Sequence, residues 1–223
     1  MLLIYLALFT SRLPPADSYL PPLPRTTVSR HHLLRVTPSP ERFSFLANPD
    51  QGLYLASVLR RSVDSCRQCL QAGCQLIEVE FPANRKADLS VTETLDTNRR
   101  FARDFADSFA SLGKSLWMVF PDRKEASLAR KSYGERVPFT LTSIEGMKVA
   151  PPDQLPKLIV SVNPGFNVEE WIDLASVAKV PTVVINGNLD RLRNGYYPSL
   201  FYPGLARVSR EFYSKATQAL FLR

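Results

Sequence analysis

Three polar residues stand where α/β proteins commonly bind ligands. Asp122, Asn163 and Asn186 each follow a short apolar run by no more than two positions. If those runs are parallel strands, their carboxyl ends meet at one edge of the sheet, where such folds bind ligands. The three side chains would then line a shared pocket, and the protein would be a small-molecule or nucleotide-binding protein or an enzyme with its site at the strand ends. Proline and asparagine also terminate ordinary strands, so a purely structural role stays open.

The segment after Asn186 is the most unusual stretch of the chain. Two glycines and two prolines between residues 195 and 204 exclude a regular helix, and the aromatic content is too high for a solvated linker. We therefore expect a structured loop packed on the domain. In the pocket interpretation, Asp190, Tyr196 and Tyr197 cover the pocket. The charged and aromatic residues of the segment are Asp190, Arg191, Arg193, Tyr196, Tyr197, Phe201 and Tyr202.

The same loop also fits a protein-binding surface. Its four rings lie within seven positions, too many to bury beneath one short loop, so at least one ring should be exposed. An exposed ring beside Arg191 and Arg193 would match the anchors of protein interfaces. At least two of the four rings should instead plug the end of the sheet, with Tyr197 and Phe201 the first candidates.

Motifs of catalysis are missing from the sequence. It contains neither a phosphate-binding glycine loop nor a dinucleotide glycine fingerprint. The two histidines, His31 and His32, precede the folded region and leave it no imidazole for general-base or metal chemistry. Glu78 and Glu80 alternate on one strand and should face solvent or a basic side chain, with acid/base chemistry the disfavoured alternative. We predict no catalytic residue, no cofactor and no metal.

The cysteines suggest redox chemistry only at first sight. Cys66 and Cys69 have the C-x-x-C spacing of thioredoxin-like sites, but those sites lie at a strand-to-helix turn and these cysteines fall within a helical pattern. We interpret them as core residues. With Cys74 the count is odd, which argues against a disulfide framework and fits a reducing compartment.

The first 48 residues have the composition of a targeting leader. Residues 1–9 are a continuous apolar run of signal-peptide length, and residues 11–42 are rich in Ser, Thr, Pro and Arg with only Asp17 and Glu41 acidic. Such a two-part leader is typical of algae whose plastids lie inside extra membranes. A secreted protein with a proline-rich linker, or a misassigned start codon, is the alternative.

Helical and strand patterns alternate from residue 50 to 223, which we interpret as one domain. Ser90 with Glu93 predicts a capping box that opens a helix whose buried face includes Phe109 and Leu112 and which ends at Gly113, and Asn167 predicts the cap of another helix. The alternation predicts an α/β fold with a mainly parallel sheet of about five strands and helices on both faces, a Rossmann-like layering without its fingerprint. The strand candidates are Leu76–Phe81, Leu116–Phe120, Phe139–Ile144, Leu158–Val162, Thr182–Ile185 and Gln218–Leu222.

Several strings in this region carry a family resemblance. NGNLDRLRNGYYPSLFYPGLARV, together with LIEVEFP, TNRRFARDFA, MVFPD and LIVSVNP, resembles a plastid and cyanobacterial family of unknown domain function. Plant members include the Low PSII Accumulation 3 protein, and the resemblance covers roughly residues 50–223. It implies a plastid protein, stromal or thylakoid-associated, that assists photosystem II assembly by binding photosystem subunits or other assembly factors. It implies no reaction.

Charge gives a weaker indication of partners. The chain carries +7, but five arginines against two acidic residues in its first 42 positions leave about +4 for the rest. That is too little for a nucleic-acid footprint, and the aromatics are not interleaved with a basic stripe. The basic excess after Asp190 suits an anionic thylakoid surface or acidic partner loops, with a solvated helix face as the plainer alternative.

Overall fold

The computed structural model describes residues 49–83, 89–134, 136–151 and 154–222. The predicted leader, residues 1–48, lies outside these residues. The described chain alternates between strand and helix and confirms the α/β fold. Its helices are α1 (Pro49–Gln71), α2 (Val91–Asp107), α3 (Arg123–Tyr133), α4 (Ile144–Lys148), α5 (Val168–Val177), α6 (Leu189–Arg193) and α7 (Pro203–Glu211).

Six parallel strands form one sheet in the order β3-β2-β4-β5-β1-β6. The four interior strands β2, β4, β5 and β1 contain almost only buried residues, as expected for strands covered on both faces. Since all six strands are parallel, their carboxyl ends share one edge. The strands are β1 (Leu76–Glu80), β2 (Leu116–Phe120), β3 (Thr140–Ser143), β4 (Leu158–Val162), β5 (Thr182–Ile185) and β6 (Thr217–Phe221).

Alternate side chains along the strands build two cores. One face of the sheet packs against α1, α2 and α3, with Phe101 and Phe105 of α2 at the centre of that core. The opposite face packs against α4, α5, α6 and α7, and Trp171 of α5 is its largest fully buried side chain. The prediction of helices on both faces is therefore confirmed, and the sheet has six strands where about five were expected.

Local capping sets where the helices begin. The Ser90 hydroxyl accepts from the backbone N–H of Glu93, and the Glu93 carboxylate accepts from Ser90, which completes the predicted capping box at α2. Those hydrogen bonds from the Ser90 side chain and backbone lower the pKa of Glu93. Asn167 caps α5 in the same way by accepting from the N–H of Glu170 at 3.0 Å. Both predicted caps are confirmed.

Strands β1, β3 and β6 differ from their predicted ranges by one residue at one or both ends, and two predictions about the helices differ more. Helix α2 was expected to continue through Phe109 and Leu112 to Gly113, but it ends at Asp107. A separate 3₁₀ segment, Ala110–Ser115, follows and turns the chain into β2. The polar part of the aromatic segment was expected to be loop throughout, yet Leu189–Arg193 forms the short helix α6. Buried Leu189 and Leu192 hold that turn against the sheet.

The C-x-x-C pair lies in the last third of α1, as predicted. Cys66 is fully buried in the core, and burial raises the pKa of its thiol. Cys69 is partly buried and packs against the same core. All three cysteines are free thiols.

Replacing Cys66 and Cys69 together with alanine should lower the free energy of unfolding by about 1–3 kcal/mol, because the change leaves unfilled volume in the core. Urea denaturation followed by circular dichroism measures this difference. The single Cys69→Ala variant, at a half-buried position, should lose less. Stoichiometric zinc in the purified protein would contradict the core interpretation of this pair.

Candidate functional site

A cavity of about 340 Å³ opens at the carboxyl ends of β1, β4 and β5. Asn163 and Asn186 stand directly after β4 and β5, and the first turns of α2 form the opposite wall through Thr94, Leu95 and Asn98. The prediction that polar residues at the strand ends meet in one pocket therefore holds for these two asparagines. A cavity of this size is at the small end of ligand sites in proteins.

Three buried side-chain amides connect the strand ends to α2. Asn186 Nδ2 donates to Asn98 Oδ1 at 2.9 Å, and Asn98 Nδ2 donates to Asn163 Oδ1 at 2.8 Å. At the other end, Asn186 Oδ1 accepts from the backbone N–H of Phe81 at 2.9 Å. The three side chains are each at least nine-tenths buried. We call this arrangement the amide chain.

The backbone at the cavity is held in an uncommon conformation. Within the described residues, the non-glycine positions with positive φ are Asn163, Asn186 and Asn188, at 50°, 49° and 51°. Asparagine reaches this left-handed region more readily than most residues but still at a cost. The Asn163 N–H donates to Ile185 O and the Asn186 N–H to Val79 O, which extends the strand ladder to the asparagines. Unusual backbone of this kind clusters at functional sites.

The charged side chains around the cavity differ in the contacts that they already make. Glu80 lines the cavity, and its carboxylate accepts from the Asn188 N–H at 3.1 Å. Glu170 accepts from the backbone N–H groups of Gly165 and Phe166 at 2.8 and 2.9 Å, so the donors before α5 are filled by the chain itself. Arg191 also lines the cavity and is exposed, with its guanidinium 5.7 Å from the Tyr196 ring centroid.

Asp122 lies apart from the cavity, contrary to the shared-pocket prediction. It is exposed, and its carboxylate accepts from the Glu125 N–H at 2.8 Å as the cap of α3. The predicted cover is absent as well: Asp190 lies half-buried in the first turn of α6, and neither it nor Tyr196 or Tyr197 is among the cavity-lining residues. Strand β2 sits on the far side of β4 from β5, which explains the separation of Asp122.

The loop between α6 and α7 presents large apolar side chains to solvent. Tyr196 is 67% exposed, Leu200 84%, Phe201 73% and Tyr202 39%. These four residues are called the aromatic surface below. The expectation that at least one ring is exposed is confirmed, whereas burial of two or more rings is wrong: only Tyr197 is partly buried, with its ring 5.5 Å from that of Trp171.

A shallow groove runs beside the aromatic surface. Its volume is about 470 Å³, and it lies between the loop and α7, lined by Tyr197, Pro198, Leu205 and Arg210 among others. Tyr197 also contacts the rings of Tyr196 and Tyr202 edge-on at 5.0 and 5.4 Å. The partly buried ring therefore supports two exposed rings and one wall of the groove.

Arg193 is a structural residue, although it was predicted to stand with the exposed aromatics. Its Nη2 lies 2.6 and 2.7 Å from the two carboxylate oxygens of Glu78, whose side chain is fully buried. The expectation that Glu78 pairs with a basic side chain is confirmed. The basic charge beside the aromatic surface is thus Arg191, with Arg207 and Arg210 exposed on α7.

The sequence analysis did not identify Asn98, the middle residue of the amide chain. The available signal was its position, because Asn98 precedes Phe101, Ala102 and Phe105 by three, four and seven residues and so shares the buried face of α2. A polar residue on an apolar helix face needs a partner, and the strand ends supply it. Thr94, one turn earlier, reaches the same cavity.

Two general features complete the description of the described residues. None of their helices combines the length and apolarity required to cross a bilayer. Nor do their His, Cys, Asp and Glu side chains come together in threes that would suit a metal ion.

Comparisons with known proteins assign the domain to a family. Residues 54–223 match the family described as Domain of unknown function (DUF1995). Searches of curated proteins and of solved structures gave no significant match. The matched segment starts in α1, includes every strand of the sheet, and contains both the cavity and the aromatic surface. The chain therefore belongs to the DUF1995 family.

Proposed function

We propose that this protein is a plastid factor that acts by binding a partner protein rather than by catalysis, as an auxiliary in photosystem II assembly or accumulation at the thylakoid. The resemblance of its sequence strings to a family with such a member supports the setting. The transit-like composition of residues 11–42 supports the compartment. The mode of action rests on the aromatic surface.

The observation that carries the proposal is the exposure of four neighbouring apolar side chains. Tyr196, Leu200, Phe201 and Tyr202 would each lose water contact on docking, and large exposed apolar groups clustered together mark interaction sites. Aromatic residues are also the commonest energetic anchors of interfaces because they bury much area at little entropic cost.

The surroundings indicate the chemistry of the partner. Arg191 stacks on Tyr196, and Arg210 lines the adjacent groove. A partner segment that offers apolar side chains to the rings and carboxylates to these arginines would complement both features. We therefore expect the partner to be a thylakoid protein with a loop that carries both acidic and apolar side chains.

Replacing Phe201 with alanine should weaken retention on isolated thylakoid membranes about 30-fold, which corresponds to about 2 kcal/mol for an interface anchor. Because Phe201 is 73% exposed, the melting temperature should not change. A co-sedimentation titration with the purified protein measures the retention. Leu53→Ala is the matched control, since Leu53 is 55% exposed on α1 and lies on the other face of the sheet. Equal retention of the two variants would refute this surface.

A fluorescent fusion carrying residues 1–48 should accumulate in plastids, because their composition is that of a two-part leader. Removing residues 1–9 should abolish delivery in an alga whose plastid has extra membranes. Confocal microscopy against chlorophyll fluorescence is the measurement. Secretion or a cytosolic signal from the intact fusion would contradict the proposed compartment.

A further inference from the structure

The cavity at the strand ends offers a hydrogen-bond donor, Asn163 Nδ2, for which the described residues supply no acceptor. We propose that this cavity binds a small organic molecule through a carboxylate group, with one carboxylate oxygen accepting from Asn163 Nδ2 and the charge balanced by Arg191. This inference does not rest on the exposed rings of the aromatic surface, although it shares Arg191 with the proposed partner contact.

The orientation of Asn163 follows from a single backbone donor. The Phe81 N–H can only donate, so the side-chain atom of Asn186 that faces it must be the oxygen. The nitrogen of Asn186 then faces the Asn98 oxygen, and the nitrogen of Asn98 faces the Asn163 oxygen. Each amide is thereby fixed in turn, although its oxygen and nitrogen have nearly the same shape. The last amide has its oxygen engaged and its nitrogen left over.

That last nitrogen is the unpartnered group. Asn163 is only 8% exposed and lines the cavity, and no described residue accepts a hydrogen bond from its Nδ2. Two N–H groups of a nine-tenths buried side chain are therefore available to whatever fills the cavity. Asn163 Nδ2 is not among the fully buried unpaired atoms of the described residues, so the donor faces the solvent of the cavity, where an acceptor on a ligand can replace water. The left-handed backbone at Asn163 holds the donor in place.

The charges at the rim favour a carboxylate over a phosphate. Phosphate sites usually combine several backbone donors, as at the start of a helix. Here the donors before α5 already bind Glu170, and the Asn188 N–H already binds Glu80. Asn163 Nδ2 and the Arg191 guanidinium remain, which suits a single negative charge with two acceptor oxygens. Arg191 forms no ion pair within the described residues.

The other walls suit an apolar body on the ligand. Leu95 and Phe166 line the cavity together with Phe81 and Pro82, and Phe166 is 61% exposed in the free protein. A ring or short alkyl group attached to the carboxylate would cover part of that exposed surface. The volume of about 340 Å³ accommodates a molecule of one ring and its substituent.

Acetate, benzoate and phenylacetate are the test ligands, with benzamide and phenyl phosphate as comparison compounds of similar shape. Titrations of the full chain, followed by nitrogen-proton NMR of the side-chain amides, should show saturable binding of benzoate or phenylacetate in the millimolar range or below. The Asn163 side-chain amide signals should shift on binding. Benzamide should bind more weakly because it lacks the charge, and phenyl phosphate should bind more weakly because the donors for a dianion are occupied.

Two variants test the assigned atoms separately. Asn163→Asp keeps an oxygen for Asn98 Nδ2 and keeps the side-chain shape, but it replaces the free donor with a carboxylate oxygen, so carboxylate affinity should fall at least tenfold. Arg191→Gln removes the positive charge and shortens the side chain but keeps it polar, so it should weaken benzoate binding several-fold and affect the uncharged benzamide much less. Gln154→Glu adds the same negative charge as Asn163→Asp at an exposed position outside the cavity lining, and it should bind like the unmodified protein.

Several results would overturn the proposal. They are the absence of saturable binding for all three carboxylates, tighter binding of phenyl phosphate than of benzoate, and unchanged benzoate affinity in Asn163→Asp. If Asn163→Asp unfolds, Arg191→Gln still decides: an equal loss for benzoate and benzamide, or no loss for either, would overturn the assigned charge contact. None of these results bears on the aromatic surface, which Phe201→Ala tests separately.

Discussion

Replacing Arg193 with methionine should lower the free energy of unfolding by about 3–5 kcal/mol, although the residue lies on an exposed turn. The reason is Glu78, whose carboxylate is fully buried. Within the described residues, Arg193 is the side chain that donates hydrogen bonds to this carboxylate. Methionine keeps much of the arginine's length and apolar contact but leaves the carboxylate unpaired inside the protein. Chemical denaturation at constant pH measures the loss.

Replacing Glu78 instead of Arg193 should lower the free energy of unfolding by a smaller amount. Arg193 is 30% exposed in its side chain, so in Glu78→Leu the guanidinium can turn toward water, and the leucine fills part of the vacated volume. The double variant Glu78→Leu with Arg193→Met should regain most of the stability lost by Arg193→Met alone. Arg207→Met on α7, an exposed arginine, is the control and should change the free energy of unfolding little. Equal losses for Arg193→Met and Arg207→Met would contradict a structural role for the pair.

This ion pair shows what local sequence patterns leave out. The alternation of Glu78 and Glu80 along β1 was enough to predict that this side of the strand faces either solvent or a basic side chain. Identifying the partner required knowing that α6 packs on the same face of the sheet as Glu78. That packing depends on the strand order, since the chain crosses from β5 over β1 to reach β6. Arg193 therefore resembled a surface charge in the sequence.

The strands were predictable because they are buried on both faces. Leu116–Phe120, Leu158–Val162 and Thr182–Ile185 were located to the residue, since a strand of a covered parallel sheet is a continuous apolar run. The helix starts capped by Ser90 and Asn167 were also found, whereas the caps at Asp122 and Ser143 were missed. The end of α2 was misplaced because glycine also serves 3₁₀ turns, and Gly113 belongs to such a turn.

The candidate site, like the helices, was only partly predictable from the sequence. Asn163 and Asn186 were found because they follow two strands that are neighbours in the sheet. Asp122 follows β2, and the sequence near it does not encode that β2 lies beyond β4. The spacing of Asp122 and Glu125 does fit a helix cap, a signal that the pocket interpretation left unused. The aromatic loop was recognised by composition. Which rings are exposed depends on Trp171, whose position only the fold supplies.

Replacing Trp171 with alanine should also lower the free energy of unfolding by about 3–5 kcal/mol, the usual cost of removing a large ring from a core. The side chain is fully buried, and its Nε1 donates to Gly187 O at 3.0 Å. Gly165 packs so closely that a Cβ there would lie 2.4 Å from the ring, and its φ of 115° is one that glycine adopts readily. Trp171 thus contacts the loop after each of the two cavity asparagines.

Removing the Trp171 ring should therefore loosen the two neighbouring turns as well as lower the overall free energy of unfolding. Gly165 and Gly187 are the second and first residues after Asn163 and Asn186, so without the ring both turns lose the contact that holds them. Hydrogen exchange of the backbone amides in 163–166 and 186–189 should rise more than exchange in the rest of the sheet.

Trp117→Ala is the matched control, because Trp117 is a buried ring of the same core on β2 and is not part of the cavity lining. Similar exchange rates at the two turns in both variants would show that Trp171 stabilises the core without positioning the asparagines. A selective rise in Trp171→Ala would instead mean that the same ring supports the cavity and, through its edge contact with Tyr197, the base of the aromatic surface.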